Sequence, residues 1–360
     1  MLVPALTVTF AATAIFILAL RPFAIATGLV DRPGGRKQHI GVVPVIGGVA
    51  MFAGLFAGTS LLAASPLVTS LLVAGGLLIA VGVLDDRYSL PAIVRLGAQF
   101  VAVLLMFFGA DVQVASLGNI FGVGDVNLGA ATILITLLIS ISVINAFNLV
   151  DGVDGLAGTM GVLAIGPVAI LTGYASDIGA LATLAVAAIL GFLCFNFPTI
   201  YNRPVRTFMG DAGSTLIGLI VVVTIAVASQ GSGAVVSPAV GLWFAALPIF
   251  DLFTCFVRRI RRGKSPFQPG RDHFHHVLAR SGLGVRNTLG ILTLLQVTYL
   301  GVGLTGHYLG IHETVMFGLW STVGLSQWWF IRKFAAHIRR GKRRGNGDES
   351  VTAVQAKKAA

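Results

Sequence analysis

Apolar stretches close to the length needed to cross a bilayer alternate with short polar segments along nearly the whole chain. Eleven are legible, at about 3–20, 45–64, 67–84, 92–109, 130–147, 157–174, 178–196, 212–229, 237–257, 287–306 and 312–331. The pattern predicts an all-α polytopic membrane protein with about eleven transmembrane helices. The second and third stretches are separated by little more than Ser65-Pro66, and residues 110–129 read as a Gly-rich polar hairpin. There is no soluble domain and no convincing internal repeat. Residues 1–335 form one transmembrane unit, and 336–360 form a basic, small-residue tail expected to be disordered.

Composition agrees. Of 360 residues, 56% are hydrophobic and 11% charged, and the mean hydropathy is +0.89, which excludes a soluble globular domain. Cys194 and Cys255 lie in apolar runs and read as small core residues rather than a disulfide or thiol–metal site. The net charge of +11 is explained by topology, not by nucleic acid. No Lys or Arg precedes the first apolar run, so it reads as a span with its N-terminus outside and not as a cleaved signal peptide. On that basis the inside segments are 21–44, 85–95, 197–211, 258–286 and everything from 332. They hold all 25 lysines and arginines, while the outside segments carry Asp111, Asp125, Asp177 and Glu313. The positive-inside rule then places the C-terminus in the cytoplasm. A basic rim there attracts anionic lipid and anionic substrates.

With only 14 acidic residues, their placement is informative. Asp85, Asp86, Asp151, Asp154 and Asp211 fall on inside loops or inside ends of spans. Asn145, Asn148, Asp151 and Asp154 recur every third residue, which on a helix keeps neighbours on one drifting face, and Gly152 and Gly155 let backbone approach a ligand. Asp85 and Asp86 are adjacent carboxylates that need a cation nearby to stay ionised. Arg95 opens the next span on the same face, to meet a phosphate or to anchor the helix. Phe208-Met-Gly-Asp-Ala-Gly-Ser-Thr215 suits a tight loop ending in a helix N-terminus. There Asp211 either holds a metal–diphosphate or, with Ser214, merely caps the helix. Carboxylates and cations gathered on one water-facing membrane surface suit metal-assisted chemistry on phosphates.

The largest inside loop, 258–286, begins with the membrane-surface basic run Arg258–Arg262. It continues to Arg271, His273, His275 and His276, which suit a diphosphate better than zinc. The first inside loop, Asp31 to Gly48, is expected to fold over the same face. Asp251 is an intramembrane acid, functional or paired with a nearby Arg.

Taken in order, Asp31-to-Gly48, Asp85-Asp86, Asn145-to-Gly155, Phe208-to-Ser214 and the His273 cluster resemble the inside motifs of the polyprenyl-phosphate N-acetylhexosamine-1-phosphate transferase family, over residues 28 to 330 or so. Ser265 to His276 is most similar to the branch that uses UDP-N-acetylglucosamine. The branch that loads UDP-N-acetylmuramoyl-pentapeptide has three consecutive histidines and ten spans, against His-Phe-His-His and eleven here.

The resemblance implies a Mg²⁺-dependent glycosyltransferase, with Mn²⁺ as a substitute. It would join UDP-N-acetylglucosamine and undecaprenyl phosphate into GlcNAc-diphosphoryl-undecaprenol and UMP. That is the first membrane step of O-antigen, lipopolysaccharide or related cell-wall glycan synthesis. The enzyme would be multi-pass in the bacterial cytoplasmic (inner) membrane with its active site facing the cytoplasm, and compatible with a homodimer. It also implies roles. Asp211 and Asn148 match the metal site. Asp85 and Asp86 match an essential acidic pair, and Asp151 joins them as a catalytic candidate. Asp154 and Phe208 match the nucleoside site, and Arg95, Arg271, His273, His275 and His276 surround the diphosphate. Asn196 and Asn202 compete for one further family position. Another UDP-N-acetylhexosamine or the muramoyl-pentapeptide is the alternative donor. A cation-coupled transporter is the non-enzyme alternative, disfavoured because the acids cluster on one face without repeated halves.

Overall fold

The computed structural model describes residues 2–32, 41–198, 206–263 and 273–359, with side chains through residue 338. In chain order its helices are α1 (Leu2–Thr27), α2 (Gly47–Thr59), α3 (Pro66–Tyr88), α4 (Ala92–Ala110), α5 (Thr132–Val150), α6 (Leu156–Thr172), α7 (Asp177–Asn196), α8 (Gly210–Ser229), α9 (Pro238–Phe244), α10 (Ala246–Ile260), α11 (Phe274–Arg280), α12 (Val285–Tyr308) and α13 (Glu313–Ala359). Strands β1 (Val30–Asp31) and β2 (Val43–Pro44) pair antiparallel and tie the first inside loop together. Ser65-Pro66 and Ser237-Pro238 start α3 and α9 by the same device. The serine hydroxyl accepts from Val68 N–H or Val240 N–H, and the proline fills a position whose N–H needs no partner.

Every one of the eleven apolar stretches is helical, and the protein is a helical polytopic membrane protein. Among the described residues seven helices are long and apolar enough to cross a membrane, eight if α9 and α10 count as one bent span. The shorter α2 and α6 have 13 and 17 residues. The stretch at 237–257, expected to be a single span, is broken at Ala245, and its halves meet at 84°. The break is satisfied from α12. Buried Gln296 donates through Nε2 to the carbonyls of Trp243 (3.2 Å) and Phe244 (2.9 Å) and accepts from Leu247 N–H at 2.9 Å. Non-helical backbone at membrane depth needs such internal partners. The segment 110–129 forms the expected hairpin, with Ser116 opposite Asn127. Gln230 holds it at the end of α8, and Glu313 at the start of α13. One expectation differs. Cys255 is buried but Cys194 is exposed on α7. The backbone of α13 runs from Glu313 to Ala359.

The axis of the bundle is α8. It is almost entirely buried, and it packs against α2, α3, α5, α6, α7 and α9. Small residues allow its first turn to be approached closely. A Cβ on Gly48 would lie 2.3 Å from Gly213 N, and one on Gly82 would lie 2.3 Å from Ala212 Cα. Backbone contact of this kind is how membrane helices pack without a hydrophobic driving force. It also brings the ends of α2 and α3 to the start of α8, where the acidic motifs lie.

Candidate active site

The start of α8 is capped from another helix. Asp86, in the last turn of α3, accepts from Asp211 N–H (2.9 Å) and Ala212 N–H (3.4 Å). Gly210 enters the helix at φ +73°, where a side chain would meet Asp86. Asp211 is therefore relieved of capping and turns its carboxylate outward. Its Oδ1 accepts from Asn148 Nδ2 at 2.9 Å and its Oδ2 from Arg95 at 3.2 Å. The same Arg95 nitrogen meets Asp85 Oδ2 at 3.2 Å, and Asp85 Oδ1 accepts from Leu90 N–H at 2.7 Å. The adjacent carboxylates thus avoid repulsion by facing different partners, Asp85 toward Arg95 and Asp86 toward α8. Arg95 is no mere lipid anchor.

The polar stripe of Asn145 to Asp154 leaves the helix partway, because α5 ends at Val150. Asn145 donates to Gln99 of α4 at 2.6 Å, and Asn148 donates to Asp211 and Ser214. Asp151 follows in the turn. Burial, then the charges of Asp211, Asp86 and Asp154, push its carboxyl up to about 8, so it holds a proton at neutral pH. Asp154 pairs with Arg206 at 2.5 Å, and Arg206 lies over the Phe208 ring, 4.9 Å from its centroid. Asn196 accepts from Gly155 N–H (2.7 Å) and donates to the Thr207 carbonyl (2.9 Å). It braces this turn against the segment entering Phe208. The first inside loop docks here as expected: Phe208 N–H donates to the Pro44 carbonyl and Gly47 N–H to the Phe208 carbonyl, each at 2.9 Å.

The histidines sit against the same turn. His275 is buried beside Gly152, where a Cβ would lie 2.2 Å from its Nε2, and it stacks on His273 with ring centroids 5.8 Å apart. His276 lies 4.2 Å from His275, centroid to centroid. Burial disfavours a charge on His273, but the hydrogen bond to Asp251 (Nδ1–Oδ2, 3.0 Å), with Cys255 near Nε2, overrides it and pushes the imidazole up to about 9. Burial, and then the charge of His276, push His275 down to about 3. The cluster therefore divides into a cationic and a neutral ring. Asp251 also accepts from Phe274 N–H at 2.8 Å, so it holds the cluster by two bonds. Among the described residues no arginine pairs with it. Arg271 lies outside the described residues, as does most of the first loop's tip.

The pair between His273 and Asp251 has a consequence for pH. A folded-state value near 9 against an ordinary 6.5 means that the charged ring contributes its full stability below about pH 6.5 and loses it as pH rises through about 9. Asp251→Asn should remove this alkaline limb. Melting temperature followed from about pH 6 to pH 10 should fall near pH 9 in the native protein and be flatter, from a lower start, in the variant. Parallel curves would show that the pair is not coupled to folding.

Beside the carboxylates is a cavity of about 420 Å³ between α3, α4, α5 and α10. Asp85, Arg95, Asn148, Asp211 and Arg259 are among its polar lining, with Gln99 and Asn145, and residues such as Leu78, Ile141, Phe253 and Phe256 form its apolar wall. Among the described residues no three His, Cys, Asp or Glu side chains converge as a metal cage. The donors present still fit Mg²⁺, which binds through one or two protein oxygens and keeps water or substrate phosphate for the rest. Asp211 offers its carboxylate to the cavity. Asn148 presents its amide nitrogen to Asp211 and would ligate only with the amide turned over.

A largely apolar cavity lined by carboxylates and two guanidinium groups, inside a helical membrane bundle, suits a membrane-embedded enzyme of phosphate chemistry. The model of glycosyl transferase family 4 matches residues 68–229. Over 342 residues, 93% of each chain, the protein is 36% identical to the undecaprenyl-phosphate alpha-N-acetylglucosaminyl 1-phosphate transferase of Salmonella typhi. The like-named proteins of Yersinia pestis and Escherichia coli (strain K12) are 35% and 34% identical, over 91% and 94% of this chain and 92% and 95% of theirs. The chain belongs to this family of phosphoglycosyl transferases.

Sequence reasoning did not find Arg206 or the bracing role of Asn196. Arg206 carried a faint signal, as a lone cation two residues before Phe208. Asp251 was visible as an intramembrane acid, but its partner is 22 residues away.

Proposed function

We propose that the protein transfers N-acetylglucosamine 1-phosphate from UDP-N-acetylglucosamine to undecaprenyl phosphate at the cytoplasmic face of the bacterial inner membrane. The supporting observation is the cavity in which an apolar wall meets Asp85, Arg95 and Asp211. It offers a prenyl chain a dry surface and its phosphate a cation within reach of the carboxylates. A lipid-phosphate oxygen attacks the β-phosphorus of the donor. The new P–O bond forms as the bond to the α-phosphate oxygen breaks, and UMP leaves. Asp85 positions the lipid phosphate through Arg95 and is placed to take its remaining proton. Arg95 and cationic His273 offset negative charge, and positioning with charge neutralisation provides most of the catalysis. Asp211, with Asn148, would hold Mg²⁺ or Mn²⁺, which when bound neutralises diphosphate charge. Asp154, Arg206 and Phe208 form the nucleoside subsite, where an aromatic face and a carboxylate suit uracil.

The test is purified protein with sugar-labelled UDP-N-acetylglucosamine and undecaprenyl phosphate. Label should pass into the organic phase in proportion to UMP released. Uptake of label into vesicles without a lipid product would support the transporter reading instead, and a panel of UDP-sugars would identify the preferred donor.

The same proposal includes eleven crossings with the N-terminus outside. In a cysteine-free background, Val123→Cys on the hairpin, at a site 85% exposed, should react with a membrane-impermeant thiol reagent in intact cells. Ser281→Cys, following α11, should react only after lysis. The opposite pattern rejects the orientation.

A further inference from the structure

Gln99 of α4 is only 3% exposed, yet with Asn145 of α5 it lines the catalytic cavity. One backbone carbonyl fixes the orientation of both amides. The Ile141 carbonyl can only accept, so the Asn145 atom that meets it at 2.8 Å is Nδ2. The same Nδ2 also donates to Gln99 at 2.6 Å, so Gln99 presents Oε1 to Asn145. Gln99 Nε2 must then face elsewhere. Among the described residues nothing accepts from it, and it is not sealed inside the protein. Its N–H groups open onto the cavity. A donor in a largely apolar cavity needs an acceptor from whatever fills that cavity, because an unmade hydrogen bond costs the full desolvation of the group.

The depth of this N–H group identifies its acceptor. Gln99 stands four residues beyond Arg95 on α4, one turn or about 6 Å toward the middle of the helix. Asn145 stands three residues before Asn148 on α5, about 4.5 Å toward the middle of that helix. Both displacements lead away from Asp85 and Asp211, toward the levels of Val81 on α3 and Ile141 on α5. A prenyl chain lying there carries no acceptor until the ester oxygen that joins it to its phosphate. We propose that Gln99 Nε2, held by Asn145, donates a hydrogen bond to this ester oxygen of the lipid phosphate. The inference rests on the transfer reaction proposed above and adds the residue that sets the depth of the acceptor. With the ester oxygen fixed one turn below Arg95, the terminal phosphate oxygens face Arg95 and the β-phosphorus of the sugar nucleotide. The bonds of the ester oxygen neither form nor break. The hydrogen bond is therefore equally strong in the ground and transition states, and it acts on lipid binding rather than on turnover. Asn145 acts through Gln99 as a positioning residue.

The experiment measures transfer rate against undecaprenyl phosphate and, separately, against UDP-N-acetylglucosamine, for the full native chain and for Gln99→Met in one detergent. Methionine has nearly the length of glutamine and no N–H. Its KM for undecaprenyl phosphate should rise on the order of tenfold, with kcat and the KM for UDP-N-acetylglucosamine within about twofold of native. The rise in melting temperature that undecaprenyl phosphate gives the native protein should shrink in the variant. Asn145→Leu keeps Gln99 but frees its amide to turn, and should raise the lipid KM about threefold. It carries the test alone if Gln99→Met does not fold. A lower melting temperature with both KM values unchanged makes the amide pair structural and overturns the inference. A rise in the KM for UDP-N-acetylglucosamine in place of the lipid KM assigns the N–H to the diphosphate and overturns the lipid as its ligand. A native protein that moves no label to the lipid overturns the proposed reaction itself, a result distinct from both.

Discussion

Asp211→Asn is expected to fold and insert like the native protein and to lose on the order of 10²-fold or more in transfer rate. The geometry separates the two effects. If Asp211 capped α8, its replacement would act on the helix start, but Asp86 takes the N–H groups of Asp211 and Ala212. Asn has the same shape and can still accept the bond from Asn148 Nδ2 on its remaining oxygen. What disappears is the negative charge opposite Arg95, on a carboxylate that both Asn148 and Arg95 hold at the cavity. A hard cation prefers charged oxygen, so the variant should also need more Mg²⁺ or Mn²⁺ for half-maximal rate. Rate against metal concentration, with a thermal melt as the folding control, makes the check. A stable Asp211→Asn protein with near-native rate and unchanged metal dependence removes Asp211 from the site.

Much of this was visible in the sequence because membrane proteins write their constraints plainly. Hydropathy gave the helical stretches, since backbone in lipid must bond within its own segment. Scarcity made Asp85, Asp86, Asp151, Asp154 and Asp211 conspicuous, and they do meet. Which carboxylate faces what was not visible. The adjacent pair Asp85 and Asp86 diverge because one residue of helix rotates a side chain by about 100°, and only the position of α8 decides which one becomes its cap. The 84° break in the ninth stretch was hidden for a related reason. Ala245 and Leu247 are unremarkable apolar residues, and the compensating Gln296 is distant in sequence. Asp251 shows the same limit, being legible as an anomaly but not as the anchor of His273.

Gly82→Val is expected to lower both stability and turnover, although residue 82 lines the cavity without contributing a functional group. A Cβ there would lie 2.3 Å from Ala212 Cα and 2.5 Å from Ala212 N, backbone atoms that cannot rotate away. Valine's methyl groups worsen the clash, so α3 must withdraw from α8. Overpacking of this kind costs about 1–3 kcal/mol. The withdrawal also stretches the bonds that Asp86 accepts from the first turn of α8, a capping interaction worth about 1 kcal/mol. The same displacement draws Asp85 and Arg95 away from Asp211, and with them the alignment on which a positioning mechanism depends. A shift of about 1 Å can cost on the order of 10²-fold in rate. The control is Gly301→Val on α12, where a Cβ meets nothing within 4 Å and only helix propensity changes. Melting temperature and transfer rate are measured for both variants in the same detergent. If Gly82→Val melts and turns over like Gly301→Val, the close approach of α3 to α8 is not what assembles the carboxylates.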